Sequence, residues 1–172
     1  MQSLFSGEKA MPKMKLDVKK GFAGIVDQDI QLIQKSSSRL MRLIGFFYPP
    51  FVTNLWTTIG NKIYYPDTTD SPLALRNYPI IEHEMVHVRQ YNEYGVPLFL
   101  FLYLFFPLPC FFSYFRWKFE REAYFKANIK KKEDIDRVVE SLRTHYLYPW
   151  PQRWMRKWFT EQLERRTNER NS

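Results

Sequence analysis

The clearest local pattern of apolar and polar positions lies between Phe51 and Tyr65. The segments FVTNLWTTI and KIYY are rich in β-branched and aromatic residues, and Gly60 and Asn61 stand between them. Such a pair forms a two-residue turn between antiparallel strands, because both residues tolerate a positive φ. The pattern therefore predicts a small β-hairpin. Before it, the only predicted element is a short helix over about residues 29–43, interrupted by three serines.

A longer helical pattern begins at Asn77, which can cap a helix that has Pro79 in its first turn. Gly95 predicts the end of this helix, since glycine commonly follows the last helical turn. Its core-facing side is predicted from three apolar residues at helical spacing, Ile81, Met85 and Val88.

The rest of the chain predicts more helices. Residues 96–115 are uncharged and strongly apolar, and a charged helix follows them over about residues 116–132. Two more helical segments cover about residues 133–145 and 150–166. Together these elements predict an α+β fold that is mostly helical and carries one small hairpin.

Composition and length support one folded domain. Hydrophobic residues make up 45% of the 172 residues, which excludes the disordered class. Within that domain, the prediction separates an N-terminal segment of unassigned role (1–50), a core (51–130), and basic amphipathic C-terminal helices (131–172). The lone cysteine, Cys110, excludes an internal disulfide and a cysteine zinc site. The first residues lack a signal-peptide pattern, so we expect a cytoplasmic protein.

The net charge of +8 favours anionic partners, and it is concentrated near the C-terminus. Residues 116–172 contain fifteen Lys and Arg against nine Asp and Glu. No helix-turn-helix, zinc-finger or RNA-recognition signature accompanies this charge, so nucleic acid is not a favoured partner. The alternative to an enzyme is nevertheless a basic binding protein for membrane surfaces or nucleic acid, with its metal structural or absent.

The sequence HEMVH carries the strongest indication of chemistry. His83 and His87 are four residues apart on a predicted helix, so both imidazoles leave the same face and can converge on one ion. Glu84 lies about 100° round the same helix. This position favours a carboxylate beside the water that zinc activates, where it can act as general base.

A catalytic zinc site needs a third protein ligand downstream. Three residues compete for this role: Glu120, Glu122 and His145. Glu120 shares a helical face with small alanines, which would let its helix approach the histidine helix closely. We therefore predict Glu120 as the ligand and Glu122 as its neighbour, facing solvent or supporting the site from behind.

The HExxH motif followed by an E-x-x-A helix resembles the gluzincin class of zinc metallopeptidases, including small, minimal-scaffold and membrane-associated members. The resemblance covers about residues 55–130. It implies a zincin-like domain with the hairpin beside the active-site helix, and one zinc ion held by His83, His87 and Glu120. It also implies Glu84 as the base for peptide hydrolysis, and an extended peptide or protein substrate docked on the strand around residues 63–65.

This chain departs from the gluzincin pattern at one position. Many of these families have aspartate after the alanine, where it orients a ligand histidine, whereas this chain has Tyr124. A tyrosine hydroxyl can take that role or help to hold an oxyanion, and His145 is the other candidate for the oxyanion.

Two segments raise the question of membrane contact. Residues 96–115 approach the length that spans a bilayer, but Pro107 and Pro109 divide them. A single crossing would also separate Glu120 from the histidines, so we predict a buried or membrane-dipping hairpin here. Residues 150–160 form a basic helix with tryptophans on one side. This pattern is typical both of peripheral membrane helices and of helices that dock on a core.

Overall fold

The computed structural model describes residues 14–16, 30–74, 77–105, 114–146 and 151–171. The chain divides into two compact units at the bond between Ala74 and Leu75. The first unit contains a four-stranded sheet with short helices, and the second is helical in its described parts. The fold is thus a mostly helical α+β one, as the sequence predicts.

The sheet of the first unit contains the predicted hairpin. Its strands are β1 (Met14–Leu16), β2 (Ile30–Gln34), β3 (Thr57–Ile59) and β4 (Lys62–Tyr65), in the spatial order β1-β2-β4-β3. β3 and β4 are antiparallel, with Ile59 opposite Lys62, and Gly60 has a φ of 61° in the turn between them. β2 is parallel to β4 and antiparallel to β1.

The predicted helix over residues 29–43 is wrong in its first part. Ile30–Gln34 is strand β2, which pairs on both sides with other strands. A 3₁₀ turn at Lys35–Ser37 follows, and helix α1 begins only at Arg39. The short segment IQLIQ becomes a strand because the sheet satisfies its backbone on both edges, which local apolar spacing does not reveal.

Two short helices of the first unit pack closely together. These are α1 (Arg39–Phe47) and α2 (Pro50–Asn54). The predicted first strand of the hairpin is therefore wrong over residues 51–54, which are helical, and strand β3 begins only at Thr57. A side chain added at Gly45 would collide with Val52, so glycine allows this close approach. Met41 is the buried residue of α1, where it packs with Ile33 and Tyr64.

The second unit is built from helices. They are α3 (Tyr78–Tyr94), α4 (Val96–Phe105), α5 (Tyr114–Asn128), α6 (Glu133–Tyr146) and α7 (Gln152–Asn171). α3 lies between Asn77 and Gly95 as predicted, and Gly95 has a φ of 74°. α3 packs extensively against α5, and α6 packs against α7.

The core of the second unit has two described clusters. In one, Tyr91, Phe99 and Phe119 bring α3, α4 and α5 together. In the other, α7 contributes Met155 and Phe159, both fully buried. The aromatic side of α7 thus docks largely on the core, although Trp154 remains exposed.

Helix α4 covers the first half of the apolar segment at 96–115. Residues 106–113, which include Pro107 and Pro109, lie outside the described residues. Within the described ranges, no helix combines the length and the apolar character needed to cross a bilayer.

Candidate metal centre

Helix α3 brings His83 and His87 side by side. Their positions differ by one helical turn, and their Nε2 atoms lie 3.2 Å apart. Both residues are only 7% exposed. The opposite side of the helix is buried through the three predicted core residues, Ile81, Met85 and Val88. Core packing thereby fixes the face on which the two imidazoles meet.

Helix α5 brings Glu120 to the same point. The Glu120 carboxylate lies with Oε2 at 3.3 Å from His83 Nε2 and with Oε1 at 3.7 Å from His87 Nε2. Ala123 and Ala127, on the face that includes Glu120, are almost fully buried. These small residues permit the close packing of α5 on α3, as expected from the sequence. The three residues form a buried cluster that could hold a metal ion.

The spacing of the donor atoms matches that of metal ligands. Ligands about 2.0–2.1 Å from a tetrahedral ion are separated from each other by about 3.3 Å. His83 Nε2 lies 3.2 Å from His87 Nε2 and 3.3 Å from Glu120 Oε2, which is close to this value, and His87 Nε2 lies 3.7 Å from the other carboxylate oxygen, Oε1. One ligand atom from each of the three residues lies within 4.8 Å of the other two. A tetrahedral ion held by these three atoms keeps a fourth position for water or substrate.

Glu120 is 2% exposed, and its charge would be costly there without partners. Burial alone would raise the pKa of Glu120, but the neighbouring His87 and His83 hold that pKa well below its usual range. Burial likewise lowers the pKa of His87, but the charge and hydrogen bond of Glu120, the charge of Glu84 and the hydrogen bond with Gln90 together raise this pKa to about 9. In the part of the chain that the structure describes, no group donates a hydrogen bond to the buried Oε2 of Glu120. A cation fits this arrangement.

Two tyrosines border the ligands. Tyr103 of α4 donates a hydrogen bond of 2.5 Å from its hydroxyl to Glu120 Oε1. The ring of Tyr124 meets the edge of His83, with ring centres 4.6 Å apart. Sequence analysis selected Tyr124 but missed Tyr103, because Tyr103 lies within an apolar segment that carries no motif.

Gln90 is a second residue that sequence analysis missed. It is 1% exposed, and its amide nitrogen donates to the Phe119 carbonyl at 3.2 Å and to Glu122 Oε2 at 2.8 Å. Both partners only accept hydrogen bonds, so the amide oxygen must face His87 Nδ1, which lies 2.9 Å away. His87 Nδ1 therefore carries a proton, and Nε2 is the atom that can bind a metal. The helical spacing of Gln90 from His87 was the available signal.

Glu122 lies against the histidine helix rather than facing solvent alone. It forms an ion pair with Arg89 of α3, and it accepts the hydrogen bond from Gln90. The wide contact between α3 and α5 brings both acidic residues of the FEREAY segment against α3. Glu122 thus supports the ligand set from behind, which is the role that the sequence left open for it.

Glu84 is buried beside the ligands. It is 6% exposed, and its charge contributes to the raised pKa of His87. The same charge and burial raise the pKa of Tyr91, two turns further along α3. Its carboxylate is therefore within electrostatic range of the ligand cluster, on the helix that supplies two of the ligands.

The remaining predicted site features lie elsewhere in the chain. His145 is in the last turn of α6, and its side chain lies outside the described residues. The strand around residues 63–65 is β4, which belongs to the first unit rather than to the unit with the histidines. Both roles proposed for these residues stay predictions.

Comparison with protein-family models, curated proteins and solved structures finds no match for this chain. The likeness to gluzincins therefore rests on the histidine motif and the glutamate helix alone.

Proposed function

We propose that this protein is a zinc-dependent hydrolase that cleaves peptide bonds, with Glu84 as its general base. The observation that carries the proposal is the buried cluster of His83, His87 and Glu120, which brings one ligand atom from each residue within 4.8 Å of the others. His83 Nε2 lies 3.2 Å from His87 Nε2 and 3.3 Å from Glu120 Oε2. Three protein ligands and one open position are typical of catalytic zinc sites.

The donor set supports zinc as the metal. Two imidazole nitrogens and one carboxylate oxygen form the His₂Glu set found in zinc peptidases. Magnesium and calcium favour sites built from oxygen alone, so they fit less well. The buried Gln90 adds support, because an orienting partner on the second ring nitrogen accompanies most metal-ligating histidines.

In the proposed reaction the ion acts as the Lewis acid and Glu84 acts as the general base. When bound, zinc supplies a Lewis acid that polarises the scissile carbonyl and makes water a better nucleophile. Glu84 takes a proton from the attacking water and returns it to the nitrogen of the leaving amine. Burial of Glu84 strengthens this exchange, since it limits competition from bulk water.

The neighbouring side chains hold this arrangement in place. Gln90 fixes the ring of His87, and the Tyr103 hydroxyl fixes one oxygen of Glu120. Tyr124 packs on His83 and is the candidate donor for the oxyanion. An extended peptide or protein segment is the proposed substrate, which follows from the resemblance to gluzincins.

Metal content and turnover of point variants test the proposal. Wild type should bind about one zinc ion, and His87→Ala or Glu120→Ala should lose it. Glu84→Gln should keep the metal but lose peptide hydrolysis by about 10²-fold or more, because only the base is removed. Glu93→Gln is the matched control, since Glu93 is an exposed glutamate of the same helix.

Zinc would be measured by mass spectrometry and hydrolysis with a peptide library. Undiminished activity of Glu84→Gln would disprove its role as base. No zinc in the wild type, even after zinc is supplied, would refute the metal centre itself.

A structural metal centre without catalysis is the second candidate. The observation that favours it is the burial of all three ligands, which resembles a closed structural site more than an open one. Bound zinc that stabilises the fold, together with no hydrolysis of any peptide or ester, would select this candidate over the enzyme.

A further inference from the structure

Helix α1 of the first unit, with the residues that flank it, exposes many large apolar side chains. Phe46 and Phe47, at the end of α1, are 79% and 78% exposed, and their rings contact each other edge to face. The other exposed apolar residues of this segment are Leu40, Leu43, Ile44, Tyr48 and Leu55. We call these seven side chains the α1 patch. Contiguous apolar surfaces of this kind mark interaction sites.

Helix α1 has a packed side and an exposed side that is largely apolar. With about 100° between successive residues, Met41 and Gly45 share the side that packs on the sheet and α2. A stripe on the outer side contains four residues of the α1 patch, Leu40, Leu43, Ile44 and Phe47. Arg39 borders this stripe, and Phe46 lies between Arg39 and Arg42 on the adjoining face; both arginines are exposed.

The charged residues within the segment that carries the α1 patch have one sign. Residues 38–55 include Arg39 and Arg42 and no aspartate or glutamate. An apolar stripe bordered by arginines is the pattern of helices that lie in the interface of a bilayer, where guanidinium groups reach anionic headgroups. The whole chain, with a net charge of +8, is attracted to the same surface.

The shape of the α1 patch favours lipid over a protein partner. Phe46 and Phe47 project from the end of a short helix rather than lining a groove. A protein partner would need a matching pocket for them, whereas fluid acyl chains accept protruding rings without one. Apolar area buried in the headgroup region, together with electrostatic attraction, sets the strength of such binding.

We propose that the α1 patch docks this protein on an anionic lipid bilayer, with α1 lying parallel to the surface. The site differs from the two segments that the sequence suggested, at residues 96–115 and 150–160. It is also independent of the metal centre, which belongs to the second unit.

Vesicle co-sedimentation of the full chain tests this proposal. The vesicles are phosphatidylcholine with and without phosphatidylglycerol. We expect wild type to bind the anionic vesicles. We expect F46S/F47S to bind them with an affinity at least about tenfold lower. R39Q/R42Q should lose the preference for anionic vesicles, and added salt should weaken wild-type binding.

The matched control is L98S/F101S in α4. Leu98 and Phe101 are apolar, about half exposed, and lie on a helix of the other unit. This variant should bind vesicles as wild type does. Since all four apolar positions are exposed, their replacement should leave the unfolding temperature of each variant close to that of wild type.

Four outcomes would overturn the proposal. The first is that wild type does not sediment with anionic vesicles. The second is that F46S/F47S binds these vesicles as strongly as wild type does. Loss of binding in L98S/F101S but not in F46S/F47S would assign the contact to α4. A wild-type dimer that F46S/F47S converts to a monomer, without vesicle binding by either, would make a second copy of this chain the occupant of the α1 patch.

Discussion

At the scale of single residues, the metal centre depends on side chains that hold the ligands as well as on the ligands. Gln90 joins His87 to Glu122 and to the backbone of α5. The amide nitrogen of Gln90 donates to two acceptors, so its oxygen must accept from His87 Nδ1. His87 Nε2 is therefore the ring nitrogen that faces the cluster. The Tyr103 hydroxyl donates a hydrogen bond to Glu120 Oε1 and so fixes the orientation of that carboxylate.

Removal of the Gln90 amide should weaken metal binding. We expect Gln90→Leu to lower zinc affinity about 10- to 100-fold, because the His87 ring loses the partner that fixes its orientation. Asn92→Leu is the control, since Asn92 is an exposed amide residue of the same helix. Competition with a chromogenic chelator measures both affinities. Equal zinc affinity in Gln90→Leu and wild type would show that Gln90 serves only to join the two helices.

At the scale of elements, the first turn of α6 is anchored by a buried carboxylate. Asp134 is 8% exposed and accepts hydrogen bonds from the backbone of Lys130 at 3.0 Å and Lys131 at 3.1 Å. Arg137 donates to its other oxygen at 2.7 Å. The backbone hydrogen bonds and the nearby cations lower the pKa of Asp134 below its usual value, although its partial burial opposes this.

This lowered pKa predicts how stability depends on pH. We expect Asp134→Asn to reduce the free energy of unfolding by about 1–2 kcal/mol at neutral pH, because charge-assisted hydrogen bonds are lost. The extra free energy of unfolding that Asp134 gives the wild type is fully present above the pKa of aspartate in the unfolded chain, about 3.9. It disappears as the pH falls through the lower pKa of Asp134 in the folded protein.

Urea unfolding at a series of pH values measures this difference. Asp136→Asn is the control, because Asp136 lies in the same turn but forms an exposed ion pair with Arg156. An exposed pair contributes little to stability. A destabilisation of Asp134→Asn that persists unchanged at strongly acidic pH would contradict the assigned role of the carboxylate.

At the scale of the whole molecule, the candidate metal ligands come from distant parts of the second unit. Two ligands come from α3 and one from α5, while α4 contributes the tyrosine that holds Glu120. An ion that binds only this folded arrangement must stabilise it, since its binding free energy adds to that of folding.

Zinc should therefore raise the unfolding temperature of the wild type. At a free zinc concentration about one hundred times the dissociation constant, the added stability is about 2.7 kcal/mol. A variant that combines His83→Ala with His87→Ala should show no such rise, and a strong chelator should reverse the effect in wild type. Differential scanning calorimetry gives these temperatures. An equal rise in the histidine variant would indicate zinc binding elsewhere in the chain.

Sequence and structure agree where the signal is local. The turn at Gly60 and the bounds of α3 were predicted because glycine and proline act on the backbone close to their own position. Asn77 precedes α3 as predicted, but its side chain forms no capping hydrogen bond. The choice of Glu120 followed from helical periodicity, and the structure brings Glu120 to the histidines. Strand β2 was missed because its backbone is satisfied by strands that are distant in sequence.

By itself, the sequence determined the histidine pair, the neighbouring Glu84 and the basic charge of the chain, since helical geometry and composition suffice for these. Only the tertiary structure decided that Gln90, Tyr103 and Glu122 support the ligands, because these contacts join separate helices. It alone also revealed the exposed α1 patch. Exposure depends on what the rest of the fold covers, and no local pattern contains that information.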